Sequence, residues 1–221
     1  MKAFRRITVF ISLFLFFSCK DKIPEQTFLA LGDSYTIGES VDKDQRWPEQ
    51  LTLDLAKKNI FLAPPTIIAK TGWTTAELQE GINQAPLDYP YDWVTLLIGV
   101  NNQYRGLPIE TFKEEFENLL SQAIIFSGNK NAHVFVISIP DWGVMPFAKS
   151  QNQEKIATEI DDFNQAIYEI CVRNNIRFID ITPISRRGSN HLERIATDGL
   201  HPSGEQYALW VKELLPIFLT Q

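Results

Sequence analysis

Two short segments, far apart in the chain, carry the residue types of nucleophilic catalysis. The first reads Leu31-Gly32-Asp33-Ser34-Tyr35-Thr36-Ile37-Gly38. A serine just after an apolar run, with glycines around it, stands at a turn. Its hydroxyl is there either a nucleophile or the N-cap of a helix. Glycines and hydroxyls in such a turn also suit a phosphate. The loop is not a GxSxG elbow, because Thr36 stands where the second glycine belongs. The second segment reads Asp198-Gly199-Leu200-His201-Pro202-Ser203. A hydroxyl needs a base to become a nucleophile, and the base needs a group that holds its tautomer. An Asp and a His three residues apart in a tight turn can face the same way. The carboxylate then holds one ring nitrogen and leaves the other for Ser34. Pro202 disfavours helix at His201. Within this segment alone, a turn Asp followed by a surface His reads equally well.

The elements between these segments must bring them together. Apolar, β-rich runs at 27–31, 66–69, 93–98, 134–139 and 177–181 have the near-continuous character of strands buried on both faces. Helical patterns alternate with them. Pro48 opens one, with Leu51 and Leu55 behind it. Thr74-x-x-Glu77 is a capping box that starts another. Pro108 opens a third, carrying Ile109, Phe112, Phe116, Leu119 and Ala123. Ile156, Ile160, Phe163, Ile167 and Ile170 form the stripe of a fourth. Ser203-x-x-Gln206 caps the last, which displays Tyr207, Trp210, Leu214 and Phe218. The alternation predicts an α/β fold: one three-layer α/β/α domain, flavodoxin-like, over residues 26–221, with a five-stranded parallel sheet. In such sheets ligands sit at the carboxyl ends of the strands, where both segments fall.

With strand ends in view, the chain resembles the SGNH, or GDSL, hydrolase family over most of its length. The family's four blocks occur in order: Gly32-Asp33-Ser34, Gly72 in Lys70-Thr71-Gly72-Trp73, Gly99-Val100-Asn101-Asn102, and Asp198-x-x-His201. The resemblance implies a serine esterase with Ser34, His201 and Asp198 as its triad. It also implies an oxyanion hole of the Ser34 and Gly72 backbone N–H groups and the Asn101 amide. Neither a cofactor nor a metal is implied. Asn102 departs from the family's Asp, so the support of its loop is in question. Asp33 is expected to brace loops. Trp73, Tyr104, Arg105 and Trp142 follow strand ends and are expected around the substrate, as are Asp141 and Met145. His133, at the opposite end, and His191, in a polar loop, are not expected to act.

The rest of the composition narrows partners and compartment. The 221 residues carry 21 basic and 27 acidic side chains, a net −6 that disfavours a nucleic-acid partner. Three His and two Cys, with no CxxC, disfavour a metal centre or a disulfide scaffold. Cys171 falls on an apolar helix face and reads as a buried structural thiol. Lys2, Arg5 and Arg6 precede an apolar run at 7–17 that is too short to span a bilayer. Its Phe16-Phe17-Ser18-Cys19 ending resembles a bacterial lipoprotein signal, with Phe16 in place of the usual Leu. That resemblance implies a signal peptide over 1–18, lipid on Cys19, a short tether over 19–25 and an extracytoplasmic, membrane-held enzyme. Removal of 1–18 leaves 18 basic and 27 acidic residues, a net −9. Two small-molecule ester classes fit: lysophospholipid-like or small acyl esters, and acetylated glycans, with the former preferred. A non-catalytic ligand-binding lipoprotein is the reading outside the enzyme class.

Overall fold

Strands form where the apolar runs predict them: β1 (Phe28–Gly32), β2 (Thr66–Ala69), β3 (Trp93–Leu97), β4 (Val134–Ile137) and β5 (Arg177–Ile179). They come from a computed structural model that describes residues 25–188 and 191–219. The signal segment 1–18, Cys19 and the tether as far as residue 24 lie outside the described residues. Every pairing is parallel, in the order β2-β1-β3-β4-β5. β1, β3 and β4 are buried throughout, as their composition requires. β2 and β5 are only partly buried, because each lies at a sheet edge. β4 and β5 stop two residues before their expected ends. There the Ser138 hydroxyl donates to Asp180 and accepts from the Ile181 and Thr182 N–H groups, replacing ladder bonds with side-chain bonds.

The connecting helices are α1 (Ser34–Ile37), α2 (Trp47–Ala56), α3 (Thr75–Gln84), α4 (Val100–Tyr104), α5 (Ile109–Phe126), α6 (Gln153–Arg173), α7 (Thr182–Gly188) and α8 (Gly204–Leu219). The capping box closes as read: the Thr74 side chain accepts from the Glu77 N–H, and the Glu77 carboxylate accepts from the Thr74 N–H. Ser203 accepts from the Gln206 N–H at 3.4 Å and also donates to the Glu193 carbonyl at 2.6 Å, so it ties α8 to the preceding turn. Arg186 to Gly188 belong to α7. Arg186 is held there by Asp141 and Asp161.

The helices make two layers. α2 packs on α8 across one face of the sheet, while α3, α5 and α6 pack side by side on the other. Trp47, Leu51 and Leu55 of α2 meet Tyr207, Trp210 and Leu214 of α8, all fully buried. Burying each apolar side chain of this size contributes about 1.5–3 kcal/mol. Cys171 is buried, and burial pushes its thiol up to about 12, so it is an inert packing group. His133 is half-buried at the amino end of β4. Its ring stacks on Trp93 at 4.7 Å, and its Nδ1 bonds the Asp92 carbonyl.

The register decides where the site is. Gly32 pairs with both Ala69 and Leu97, so β1, β2 and β3 end level with one another. Only glycine fits at position 32. A Cβ there would lie 2.2 Å from Thr36 Oγ1 and 2.5 Å from the Leu97 carbonyl. The strand order reverses between β1 and β3, which opens a crevice at their carboxyl ends.

Candidate active site

At the end of β1 the chain turns directly into α1. Asp33, not Ser34, is the N-cap: its Oδ1 accepts from the Tyr35 N–H at 3.0 Å. The N-cap alternative for Ser34 is thereby removed. Ser34 is the first helical residue, so its own N–H has no intrahelical acceptor. Asp33 is fully buried, and burial pushes its carboxyl up to about 7. It braces the turn and makes no contact with His201 that would orient the ring.

The last block folds into a pinned loop. Ile195 and Pro202 form an antiparallel bridge, and the Ala196 N–H donates to the His201 carbonyl. Asp198 lies 2.6 Å from His201 Nδ1, through Oδ2. Its Oδ1 accepts from the Leu200 and His201 N–H groups, and Oδ2 also accepts from the Ser40 hydroxyl at 2.7 Å. Desolvation alone would raise this carboxyl. The bonds from the His201 ring, the two backbone N–H groups and Ser40 outweigh it and hold the pKa at about 2. An ionised carboxylate only accepts, so Nδ1 carries the proton and Nε2 offers its lone pair. The His201 ring is nearly buried and rests against Tyr35, with centroids 5.4 Å apart.

Ser34, Gly72, Asn101 and His201 converge on one cavity of 170 Å³. Asn101, on α4, donates one amide hydrogen to the Trp73 carbonyl at 2.9 Å. That bond fixes the amide and leaves its second hydrogen available to the cavity. Gly72 has φ +86°, a conformation that L residues rarely adopt, and its carbonyl accepts from Arg105 Nη2 at 2.5 Å. The loop is also held by Thr71, whose hydroxyl donates to Glu39. A larger depression of 530 Å³ between α2 and α8 contains none of the four strand-end motifs.

Of the six residues expected around the substrate, Tyr104 and Trp142 line the cavity. Trp142 Nε1 donates to Gln103 Oε1 at 2.7 Å, and its ring meets Tyr104 edge-on at 5.2 Å. Trp73 and Arg105 are not among the residues that line the cavity. The Trp73 indole lies over Gly81 of α3, where a Cβ would come within 2.2 Å of it. Arg105 pairs with Glu77 at 3.2 Å and grips the Gly72 carbonyl, so both residues brace the Gly72 loop from outside the cavity. Asp141 and Met145 are buried packing groups, the former bound to Arg186. The remaining wall comes from Tyr35, Thr71, Val100, Phe147 and Leu200. Phe147 and Leu200 were legible only as apolar residues near the motifs. The Phe147 N–H donates to the Gly199 carbonyl and so locks one wall to the histidine loop.

Asn102 points away from the cavity and is buried. Its Oδ1 accepts from the Thr75 N–H at 3.1 Å, and its Nδ2 donates to Thr75 Oγ1 at 2.6 Å. Thr75 Oγ1 donates in turn to Glu115. The amide therefore ties α4 to the first turn of α3 and supports the loop without a charge. Among the described residues, no group of three or more His, Cys, Asp or Glu is placed to hold a metal ion.

A model of the GDSL-like lipase/acylhydrolase family matches residues 30–209. Among solved structures, a psychrotrophic esterase from Pseudoalteromonas sp. aligns with TM-score 0.67 at 15% identity, over 89% of this chain and 98% of that one. A lipase/acylhydrolase from Enterococcus faecalis aligns with TM-score 0.67 at 22% identity, over 86% and 94%. An acetylxylan esterase from Geobacillus stearothermophilus aligns with TM-score 0.68 at 14% identity, over 87% and 93%. At these identities the structures speak to the fold. No curated protein sequence matches.

Proposed function

The chain belongs to the GDSL-like lipase/acylhydrolase family and is an ester hydrolase, and from that premise we propose that it is a serine esterase working through an acyl-enzyme on Ser34. His201 Nε2 takes the Ser34 proton as Oγ attacks the ester carbonyl, and Asp198 stabilises the imidazolium that forms. The negative charge that develops on the carbonyl oxygen is met by the Ser34 and Gly72 N–H groups and by Asn101 Nδ2. His201 then delivers the proton to the leaving alcohol. Water, activated by the same nitrogen, releases the acid. The observation that supports this reading is the 2.6 Å Asp198–His201 couple, its ring lining the same cavity as Ser34 and Asn101.

The cavity also limits the acyl group. At 170 Å³ it is smaller than the ~300 Å³ lower bound for drug-sized ligands. We read the substrate as a short acyl ester, with Tyr104, Trp142 and Phe147 around it. We further propose that residues 1–18 are removed and that Cys19 carries a lipid anchor.

Ser34→Ala is expected to abolish hydrolysis of p-nitrophenyl acetate while leaving the melting temperature unchanged. A fluorophosphonate should add its mass to the peptide containing Ser34; a solved Pseudoalteromonas esterase of this fold is inhibited by monoethylphosphonate. Retained turnover in the alanine variant refutes the nucleophile. Cys19→Ser should move the protein from the membrane to the soluble fraction, and membrane retention would refute the anchor.

A further inference from the structure

The point where the tether joins the fold lies at the opposite end of the sheet from the cavity. Gln26 pairs with Leu62 just ahead of β1, and its N–H donates to the Phe61 carbonyl. Ser34 follows the other end of the same strand. From Gln26 to Gly32 the chain rises roughly 20 Å at about 3.3 Å per residue. Between Cys19 and Gln26 there are seven residue steps, which reach at most about 25 Å when fully extended. To bring the cavity mouth to the bilayer, the tether would have to be drawn out along the whole height of the domain.

The amino edge of the sheet is suited to meet a membrane. Strand starts are level there: Phe28 pairs with Trp93, Val94 with Val134, and Phe135 with Arg177. Around them stand three exposed apolar side chains, Phe61 (36% exposed), Tyr89 (53%) and Leu219 (45%). Lys58, Lys130 and Arg177 are exposed on the same edge, beside Glu25 and Asp88. Aromatic and basic side chains together favour an anionic lipid interface.

We infer that the anchored protein rests its amino-edge face on an anionic bilayer with the cavity mouth turned to water. Its substrates are then short acyl esters presented from the aqueous side, not the acyl lipids of the bilayer that holds it. This inference rests on the esterase and lipid-anchor readings above.

The test uses the lipidated full chain in phosphatidylcholine–phosphatidylglycerol vesicles. A nitroxide is placed at the amino edge through Gln84→Cys or Lys130→Cys, or beside the mouth through Lys149→Cys; Cys171 is buried and does not compete for label. The edge labels should collide mainly with lipid-soluble oxygen, and the mouth label mainly with a water-soluble nickel chelate. On the same vesicles, p-nitrophenyl acetate should be hydrolysed within twofold of the detergent-solubilised rate. A fluorogenic acyl phospholipid in the host bilayer should turn over at least 100-fold more slowly. Oxygen contact at the mouth label, or host-lipid hydrolysis matching the soluble ester, overturns the inference. Recovery of the protein free of vesicles removes the anchor and the inference with it. A protein inert to both esters refutes only the esterase reading, because the labels still report the orientation.

Discussion

Replacing Asn102 by the acid that the family pattern carries should damage this protein, and the structure gives the size of the effect. Asn102 is 1% exposed. The Thr75 N–H can only donate, so it fixes Oδ1 on its side and leaves Nδ2 facing Thr75 Oγ1. The Thr75 hydroxyl proton is committed to Glu115. In Asn102→Asp, the second carboxylate oxygen meets a hydroxyl whose hydrogen points elsewhere, with a second carboxylate behind it. A buried polar group left unsatisfied costs about 1–3 kcal/mol, and a charged one more. We expect a loss of about 2–4 kcal/mol at pH 8. For a chain of this length, that lowers the melting temperature by roughly 4–16 °C, at about 2–4 °C per kcal/mol. The new carboxyl is more easily protonated folded than unfolded, so its folded pKa is raised. The variant should therefore match its parent most closely near pH 4 and fall behind as pH rises through that folded pKa. Glu115→Gln supplies the remedy: the Thr75 hydroxyl can then turn to position 102 while the new amide donates to its oxygen. The assay is thermal unfolding of the parent, both single variants and the double variant at pH 5 and pH 8. A single variant as stable as the parent at pH 8 refutes this account. So does a loss that is unchanged in the Glu115→Gln background.

Two further outcomes follow from the site. Asn101→Ala should lower kcat by about 10²–10³ with little change in KM, the loss of one oxyanion donor; a change confined to KM would show that the amide binds substrate only in the ground state. Asp33 has its folded pKa pushed up to about 7 by burial, so the stability it contributes is complete below the unfolded value and is lost as pH rises through about 7. Relative to Asp33→Asn, which keeps the acceptor for the Tyr35 N–H, the parent should lose stability between about pH 4 and pH 7 and level off above that. A melting-temperature difference that stays constant across that range would refute the burial argument.

What could be read without the structure was what neighbouring residues decide among themselves. The strand runs, the Thr74–Glu77 box and the Ile156–Ile170 stripe are local patterns, and each element formed where its pattern lay. Asp198 and His201 are three residues apart, so their pairing was legible too. The role of Ser34 was not. A serine before a short helix can cap it, and only the observed Asp33–Tyr35 bond assigns the cap to Asp33. Trp73 and Trp142 give equal signals, each an aromatic residue after a strand. Gly81 makes a seat for the first on α3, and Gln103 turns the second toward the cavity.

The sequence by itself therefore determined the alternation of elements, the motifs at strand ends and the charge of the chain. Periodicity, capping and turn chemistry act over a few residues, and they survive in any fold that uses them. The tertiary structure decided what depends on partners distant in sequence. It set the register that brings Gly32, Ala69 and Leu97 level. It decided that Arg105 grips the Gly72 carbonyl and that Asn102 answers to Glu115 through Thr75. It also put the amino end of β1 and the cavity at opposite edges of the sheet. Those relations arise from parallel pairing and side-chain packing between segments tens of residues apart, and no local window of the sequence contains both sides of them.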